Sequence, residues 1–313
     1  MLRLSPMKLT AAAAAAVATA GMVVALRKRR QAREAAPEPD IVHDFKPWPA
    51  LAQHLATTGP RTYFRPTFLG MEQLDSSRPA LYVGNHTLYA LLDVPLLMEH
   101  LSHERGIHLR PLGDRGHFDY PGWKHFLLKI GVVPANPENC DKLMEAGESV
   151  LVYPGGAREV WHHKDENYTL VWKKRLGFVR QAAKHGYDII PFASLGADEC
   201  YTILADGDDF RHSRPVQKAL KVLGVPHLFR DGEAVPPLVR GLGPTLAPRP
   251  QALYFSFGER ISTVGVDVTD ESQLWAMRDK VAAAIYRQLD ELRAYREQDR
   301  ERNWGKWRKR YAG

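Results

Sequence analysis

At 313 residues the chain has room for one large domain or two modest ones, and 44% hydrophobic with 25% charged residues is ordinary for a globular protein. Two cysteines, Cys140 and Cys200, supply neither a disulfide framework nor a CxxC metal pair. The net charge of +7 admits nucleic acid, anionic lipid or an anionic substrate, but no nucleic-acid-binding motif accompanies the basic clusters at 26–33 and 303–313, which argues against nucleic acid.

Leu9 to Leu26 is an 18-residue run without charge, within the span of a bilayer core, and Arg27, Lys28, Arg29, Arg30 and Arg33 follow it. The reading is a membrane anchor with a basic flank over 1–30, which leaves the main domain on the cytoplasmic side. A cleaved signal peptide ending at Ala18-Thr19-Ala20 and a disordered leader are the alternatives. Residues 31–45 are polar and Pro-containing, a linker. A main domain over 46–270 and a C-terminal amphipathic helix with a basic, aromatic tail over 271–313 complete the organisation.

Within the main domain strands and helices alternate. The runs 80–85, 107–114, 149–154, 187–196 and 252–258 are short, apolar and bounded by turn residues, as buried strands are. Helices are predicted over 88–101, where Pro95 is an irregularity, and over 121–131, 136–148, 167–186 and 272 to about 300. This order implies an α/β fold with a mixed, mostly parallel sheet flanked by helices. Residues 207–250 are Pro/Gly-rich, apolar and basic, with no clear period.

The usual hydrolase and nucleotide signatures are missing: no G-x-S-x-G, G-x-G-x-x-G, P-loop or H-E-x-x-H occurs. His162-His163 and His100/His103 have no accompanying ligand set and read as surface histidines rather than metal ligands. Two stretches carry chemistry. "GNHTLYALLD", Gly84 to Asp93, puts a histidine where a strand gives way to a helix, the edge at which open α/β sheets place their sites. If His86 lies in the turn, folded back towards Asp93, the carboxylate fixes its tautomer and raises its basicity for base catalysis on a hydroxyl. Otherwise the two are a core His and a helix Asp that bond locally. "LVYPGGAREV", Leu151 to Val160, leaves an apolar strand through Gly155 and Gly156. Such a turn gives a ligand access to main-chain N–H groups, which suit an oxyanion, and Arg158 offers a bidentate cation for phosphate or carboxylate. The plainer reading is a tight turn with a solvated Arg.

"GNHTLYALLD", "GDRGHF", "LVYPGGAREV" and "IIPF" follow the order and rough spacing of the four blocks of the glycerolipid acyltransferase superfamily. "PGGAREVWHHKDENYTLVWKKRLGF" resembles the third block of its diacylglycerol, wax-ester and phytyl-ester branch. The resemblance spans about residues 60–265. It implies transfer of an acyl group from an acyl thioester, usually acyl-CoA, to a hydroxyl, with no metal or bound cofactor. His86 is then the catalytic base and Asp93 its orienting partner, with Arg158, Gly155 and Gly156 at the substrate pocket and Arg115 a further anion contact. Two departures stand out. The H-x4-D position is Leu91, two residues before the first carboxylate, and Gly155 stands where phosphate-acceptor enzymes carry a Glu. The second departure favours a neutral acceptor, such as diacylglycerol or a long-chain alcohol, over a lysophospholipid (1-acylglycerol-3-phosphate) acyltransferase. A non-catalytic lipid-binding protein and a thioesterase or lipase are the remaining alternatives. Trp304, Trp307 and Tyr311 among Lys306, Arg308, Lys309 and Arg310 suit contact with membrane lipids, or a solvated basic tail.

Overall fold

The five apolar runs and two short strands outside them pair into one seven-stranded sheet in the computed structural model, which describes residues 40–212 and 236–311. Its strands are β1 (Thr67–Leu69), β2 (Leu81–Gly84), β3 (Leu109–Gly113), β4 (Val133–Pro134), β5 (Ser149–Val152), β6 (Ile189–Leu195) and β9 (Tyr254–Phe257). Their spatial order is β1-β9-β6-β2-β5-β3-β4. Neighbours are parallel except β6 and β9, so the sheet is mixed and mostly parallel. A separate antiparallel pair joins β7 (Thr202–Ala205) to β8 (Leu238–Arg240), giving part of the aperiodic 207–250 segment a strand. Residues 213–235 of that segment lie outside the described residues.

Helices cover both faces of the sheet, which is why its central strands are continuous apolar runs rather than alternating ones. On one face Leu81, Val83, Val150, Val152 and Ile189 meet α4 (Pro137–Glu145), α6 (Gly177–His185) and α8 (Glu271–Tyr311). On the other, Tyr82, Leu151, Ile190 and Phe192 meet α1 (Ala50–Phe64) and α2 (Val94–Arg105). The first turns of α3 (Pro121–Lys129) and α4 both carry Pro, whose fixed φ suits that position. Leu274, Val281, Ile285, Leu289 and Leu292 of α8 are fully buried against the sheet, so the division drawn at residue 270 separates a helix from the core it completes.

Two predicted helices begin later than the sequence pattern suggests. The run at 88–101 becomes helical only at Val94, with Asp93 as its N-cap and Pro95 in its first turn. Tyr89 (φ 62°) and Ala90 (φ 51°) have left-handed backbone before it, which no α-helix accommodates. Pro95 is thus a start, not an irregularity. The run at 167–186 is helical only from Gly177: Tyr168 (φ 62°) and Lys173 (φ 49°) break it so that Tyr168, Trp172 and Leu176 turn into the core.

Among the described residues no helix is long and apolar enough to cross a membrane, and the anchor expected over 1–30 lies outside them. Most of the expected linker also lies outside. Its end is held: the buried Arg110 of β3 donates from Nη2 to Ile41 O and stacks over the Phe45 ring at 3.9 Å.

Candidate active site

Strands β6, β2 and β5 are adjacent and parallel, so their carboxyl ends open on one edge. Three turns meet there. After β2 come Asn85 and His86; after β5, the Pro-Gly-Gly turn and the short helix α5 (Gly156–Val160); after β6, Gly196 and a 3₁₀ turn over Asp198–Cys200.

The β2 exit is built from buried hydrogen bonds. Asn85 Nδ2 donates to Ser194 O (2.9 Å) and Asn85 Oδ1 accepts Ser194 N–H (2.8 Å), locking the turn to β6. His86 N–H donates to Glu159 Oε1 (2.7 Å), and Leu88 N–H donates to Asp198 Oδ1 (2.8 Å). The His86 imidazole stacks on the Tyr153 ring with centroids 4.2 Å apart. Its Nδ1 is buried with no hydrogen-bond partner among the described residues. Burial, with a smaller contribution from His162, pushes the His86 pKa down to about 3, so the ring is neutral at neutral pH.

Asp93 is buried, but its carboxylate is turned elsewhere. Oδ2 accepts the Ser194 hydroxyl (2.8 Å) and Oδ1 accepts Val94 N–H (2.9 Å) as the cap of α2. These bonds replace the expected His86–Asp93 contact, and the expected rise in His86 basicity is replaced by a fall. The reason is the late helix start, which spends Asp93 on capping. Leu91, at the H-x4-D position, is exposed.

The Pro-Gly-Gly turn also differs from the expectation of an open N–H cradle. Gly156 (φ 52°) donates its N–H to Tyr153 O (3.0 Å). A Cβ on Gly155 would lie 1.7 Å from Glu159 Oε2, so this glycine makes room for the Glu159 side chain. Arg158 is committed to a bidentate ion pair with Glu166, at 2.8 and 2.7 Å, where the sequence suggested a cation for a ligand. Burial opposes ionisation of Glu166, yet Arg158 and the His163 N–H outweigh it and hold the carboxyl below its ordinary value. Arg115 is exposed on the turn after β3, its Nε donating to Ala135 O at 3.3 Å.

Three buried groups at this edge escape the sequence reading. Glu159 has a second oxygen, Oε2, buried without a partner, and burial pushes its pKa up to about 8. Asp198 likewise has an unpartnered Oδ2 and is pushed up to about 6 by burial, against the opposing pull of His162. His162, expected at the surface, is buried: Nδ1 lies 3.1 Å from Glu159 O, and Nε2 has no partner among the described residues. A legible signal existed for both acids, since each follows a predicted strand within a few residues. Among the described residues no group of three or more His, Cys, Asp or Glu is arranged to hold a metal ion.

An edge of this kind, with one neutral histidine among buried acids at the carboxyl ends of parallel strands, is that of an α/β protein with a polar site sunk into its sheet edge. The family model described as diacylglycerol acyltransferase matches residues 97–249. Phytyl ester synthase 2, chloroplastic, of Arabidopsis thaliana is 32% identical over 250 residues, which is 73% of this chain and 34% of that protein. Diacylglycerol O-acyltransferase 2 of Danio rerio is 32% identical over 139 residues, 42% of this chain and 38% of that protein. The chain therefore spans about a third of the length of the plant relatives it matches. The crystal structure of the 1-acyl-sn-glycerophosphate (LPA) acyltransferase PlsC from Thermotoga maritima aligns with a TM-score of 0.47 at 15% identity, covering 78% of this chain and 82% of that one. Residues 97–249 thus resemble diacylglycerol acyltransferases, and the sequence matches support the glycerolipid acyltransferase superfamily, near its diacylglycerol and phytyl ester side.

Proposed function

We propose that the protein is an O-acyltransferase that moves a fatty acyl group from an acyl thioester, acyl-CoA, to the hydroxyl of a neutral lipid. The observation that carries this reading is the His86 imidazole: neutral, stacked on Tyr153 at the exit of the central strand, with Nδ1 free of partners among the described residues. In the reaction His86 takes the proton of the acceptor hydroxyl as the oxygen attacks the thioester carbonyl. The carbon–sulfur bond breaks, and the thiolate leaves with the proton that His86 returns. Burial disfavours the imidazolium, so its charge must be balanced at that moment by the oxyanion growing beside it. Asp93 supports the site through Ser194 and the cap of α2 rather than by touching the ring.

A neutral acceptor is supported by Arg158. With its guanidinium bound bidentately to Glu166, it is not presented to an acceptor phosphate. The names of the relatives, diacylglycerol acyltransferase and phytyl ester synthase, point the same way. The apolar run at 9–26 with its basic flank belongs to the same proposal, as an anchor that keeps the enzyme where acyl chains and lipid alcohols partition, with the catalytic domain on the cytoplasmic side. The test is product analysis. Labelled acyl-CoA is incubated with the protein and diacylglycerol, a long-chain alcohol, or lysophosphatidate in detergent micelles. Labelled triacylglycerol or wax ester is expected; labelled phosphatidate alone contradicts the acceptor class, and free fatty acid alone contradicts acyl transfer.

A further inference from the structure

The turn that carries His86 is held from both sides by buried acids. β2 lies between β5 and β6, and each neighbour sends one carboxyl across from its own exit. Glu159, following β5, takes the N–H of residue 86; Asp198, following β6, takes the N–H of residue 88. Both side chains are at least 98% buried, and each spends one oxygen on the turn while its second oxygen has no partner among the described residues. Burying an ionised carboxylate so sparsely bonded is costly, whereas a protonated carboxyl accepts the N–H bond with one oxygen and carries no charge. The sequence makes space for one of them: only glycine at 155 leaves room for Glu159 to lie there. Past the turn, Tyr89 and Ala90 are held in left-handed backbone, a conformation that persists only where surrounding contacts impose it.

We propose that Glu159 and Asp198 are positioning residues for His86, two buried carboxyls that grip the backbone on either side of the imidazole and so fix where it points. The proposal rests on the acyl-transfer reading above. Neither acid needs to touch substrate; each acts through the turn. The charged and polar groups around Glu159 are Tyr153 from the β5 exit, Asp198 from the β6 exit, Arg175 from the segment before α6, and the N–H groups of His86 and Val171. Arg175 donates from Nη1 to Pro154 O at 2.6 Å, and its charge favours ionised Glu159 by less than burial opposes it.

The experiment compares wild type, Glu159→Gln, Glu159→Ala, Asp198→Asn and His86→Ala in full-length protein. Thiol release from acyl-CoA with a lipid acceptor is followed from pH 6 to 9.5, separating kcat from KM, and thermal unfolding is recorded over the same range. Glu159→Ala is expected to lower kcat by about 10- to 100-fold with KM little changed, as loss of alignment does. Glu159→Gln, whose amide oxygen still accepts the His86 N–H, is expected to recover most of that loss. Wild type is expected to lose turnover as pH rises through about 8, where ionised Glu159 becomes a sparsely bonded buried charge that the turn must open to hydrate, and Glu159→Gln to lack that limb. Asp198→Asn, whose amide oxygen still accepts the Leu88 N–H, is expected to keep most of the turnover and to retain the limb near 8 that Glu159 sets. Gln as inactive as Ala, Ala as active as wild type, or an unchanged alkaline limb in Glu159→Gln overturns the proposal. If Glu159→Ala does not fold, the pH profiles of wild type and Glu159→Gln still decide. Equal rates for His86→Ala and wild type instead defeat His86 as the base on which the acyl-transfer reading rests; the pH dependence of unfolding in Glu159→Gln then tests the grip on its own.

Discussion

Two glycine-containing turns leave neighbouring parallel strands on the same edge, and they do different things. The turn after β2 presents a side chain: His86, neutral and stacked, its Nδ1 without a hydrogen-bond partner among the described residues. The turn after β5 presents almost nothing. Its Gly156 N–H is tied to Tyr153, its Arg158 is tied to Glu166, and its Gly155 makes room for Glu159 to reach the first turn. In sequence both look like site turns, the first for a histidine at a strand end and the second because glycine and arginine beside a strand end suit anion binding. In space the second turn is the scaffold of the first. A glycine pair after a strand records a close approach; whether the approaching group is a ligand or the protein's own carboxyl depends on contacts dozens of residues away.

The largest test of that contrast is Gly155→Ala. A Cβ there overlaps Glu159, so the helix or the acid must shift, at a cost of about 3 kcal/mol. A fall in Tm of roughly 6–12 °C is expected, with loss of activity. A variant as stable and active as wild type would mean that the turn is open, as an N–H cradle for ligand would be.

The pH dependence of stability comes next. Burial raises the Glu159 pKa from an ordinary 4.5 to about 8, so the folded state keeps a proton that the unfolded chain releases. Its stabilising contribution is complete below about 4.5 and is lost as pH rises through about 8. Wild-type Tm is therefore expected to fall relative to that of Glu159→Gln between pH 5 and 8. Parallel curves would show that Glu159 is not the buried acid described. His86 acts in the opposite sense: its depressed pKa makes stability fall as pH drops below about 6.5, and His86→Gln should soften that acid limb.

Smaller effects separate scaffold from chemistry. Arg158→Gln and Glu166→Gln each break the same partly buried pair and should cost about 1 kcal/mol in thermal unfolding, with KM for acyl-CoA and acceptor changed less than about threefold. A tenfold rise in KM with Arg158→Gln alone would make the guanidinium a ligand-binding group. Tyr153→Phe is the mildest. The Tyr153 hydroxyl is buried without a partner among the described residues, so removing it should leave stability unchanged or raised by up to about 1 kcal/mol. The ring under His86 remains, and turnover should persist; a large loss would give the hydroxyl a role in the reaction.

Much of the frame was legible because it is local. The five apolar runs became sheet strands, and Asn136-Pro137 became a helix start with Asn136 Oδ1 accepting Asn139 N–H at 2.6 Å. Where the sequence reading missed, backbone or distance was responsible. Apolar content and length carried the helix at 88–101 through two left-handed residues that composition does not announce, and so offered Asp93 to His86 when the fold spends it on capping α2. His86 meets Glu159 across 73 positions of sequence, and Leu88 meets Asp198 across 110. Neither separation leaves a local trace beyond an acid after a strand. His162 was read as exposed because a His-His pair in a polar stretch resembles surface, yet it is buried beside Glu159.

The central claim is that one half-buried, neutral imidazole, His86, removes the acceptor's proton. The most direct measurement is lipid product formed per unit time from labelled acyl-CoA and diacylglycerol by His86→Ala and wild type, with unfolding temperatures recorded for both. The account predicts turnover reduced by about 10²- to 10⁴-fold in a variant that still folds. Equal rates from a folded His86→Ala protein would contradict it.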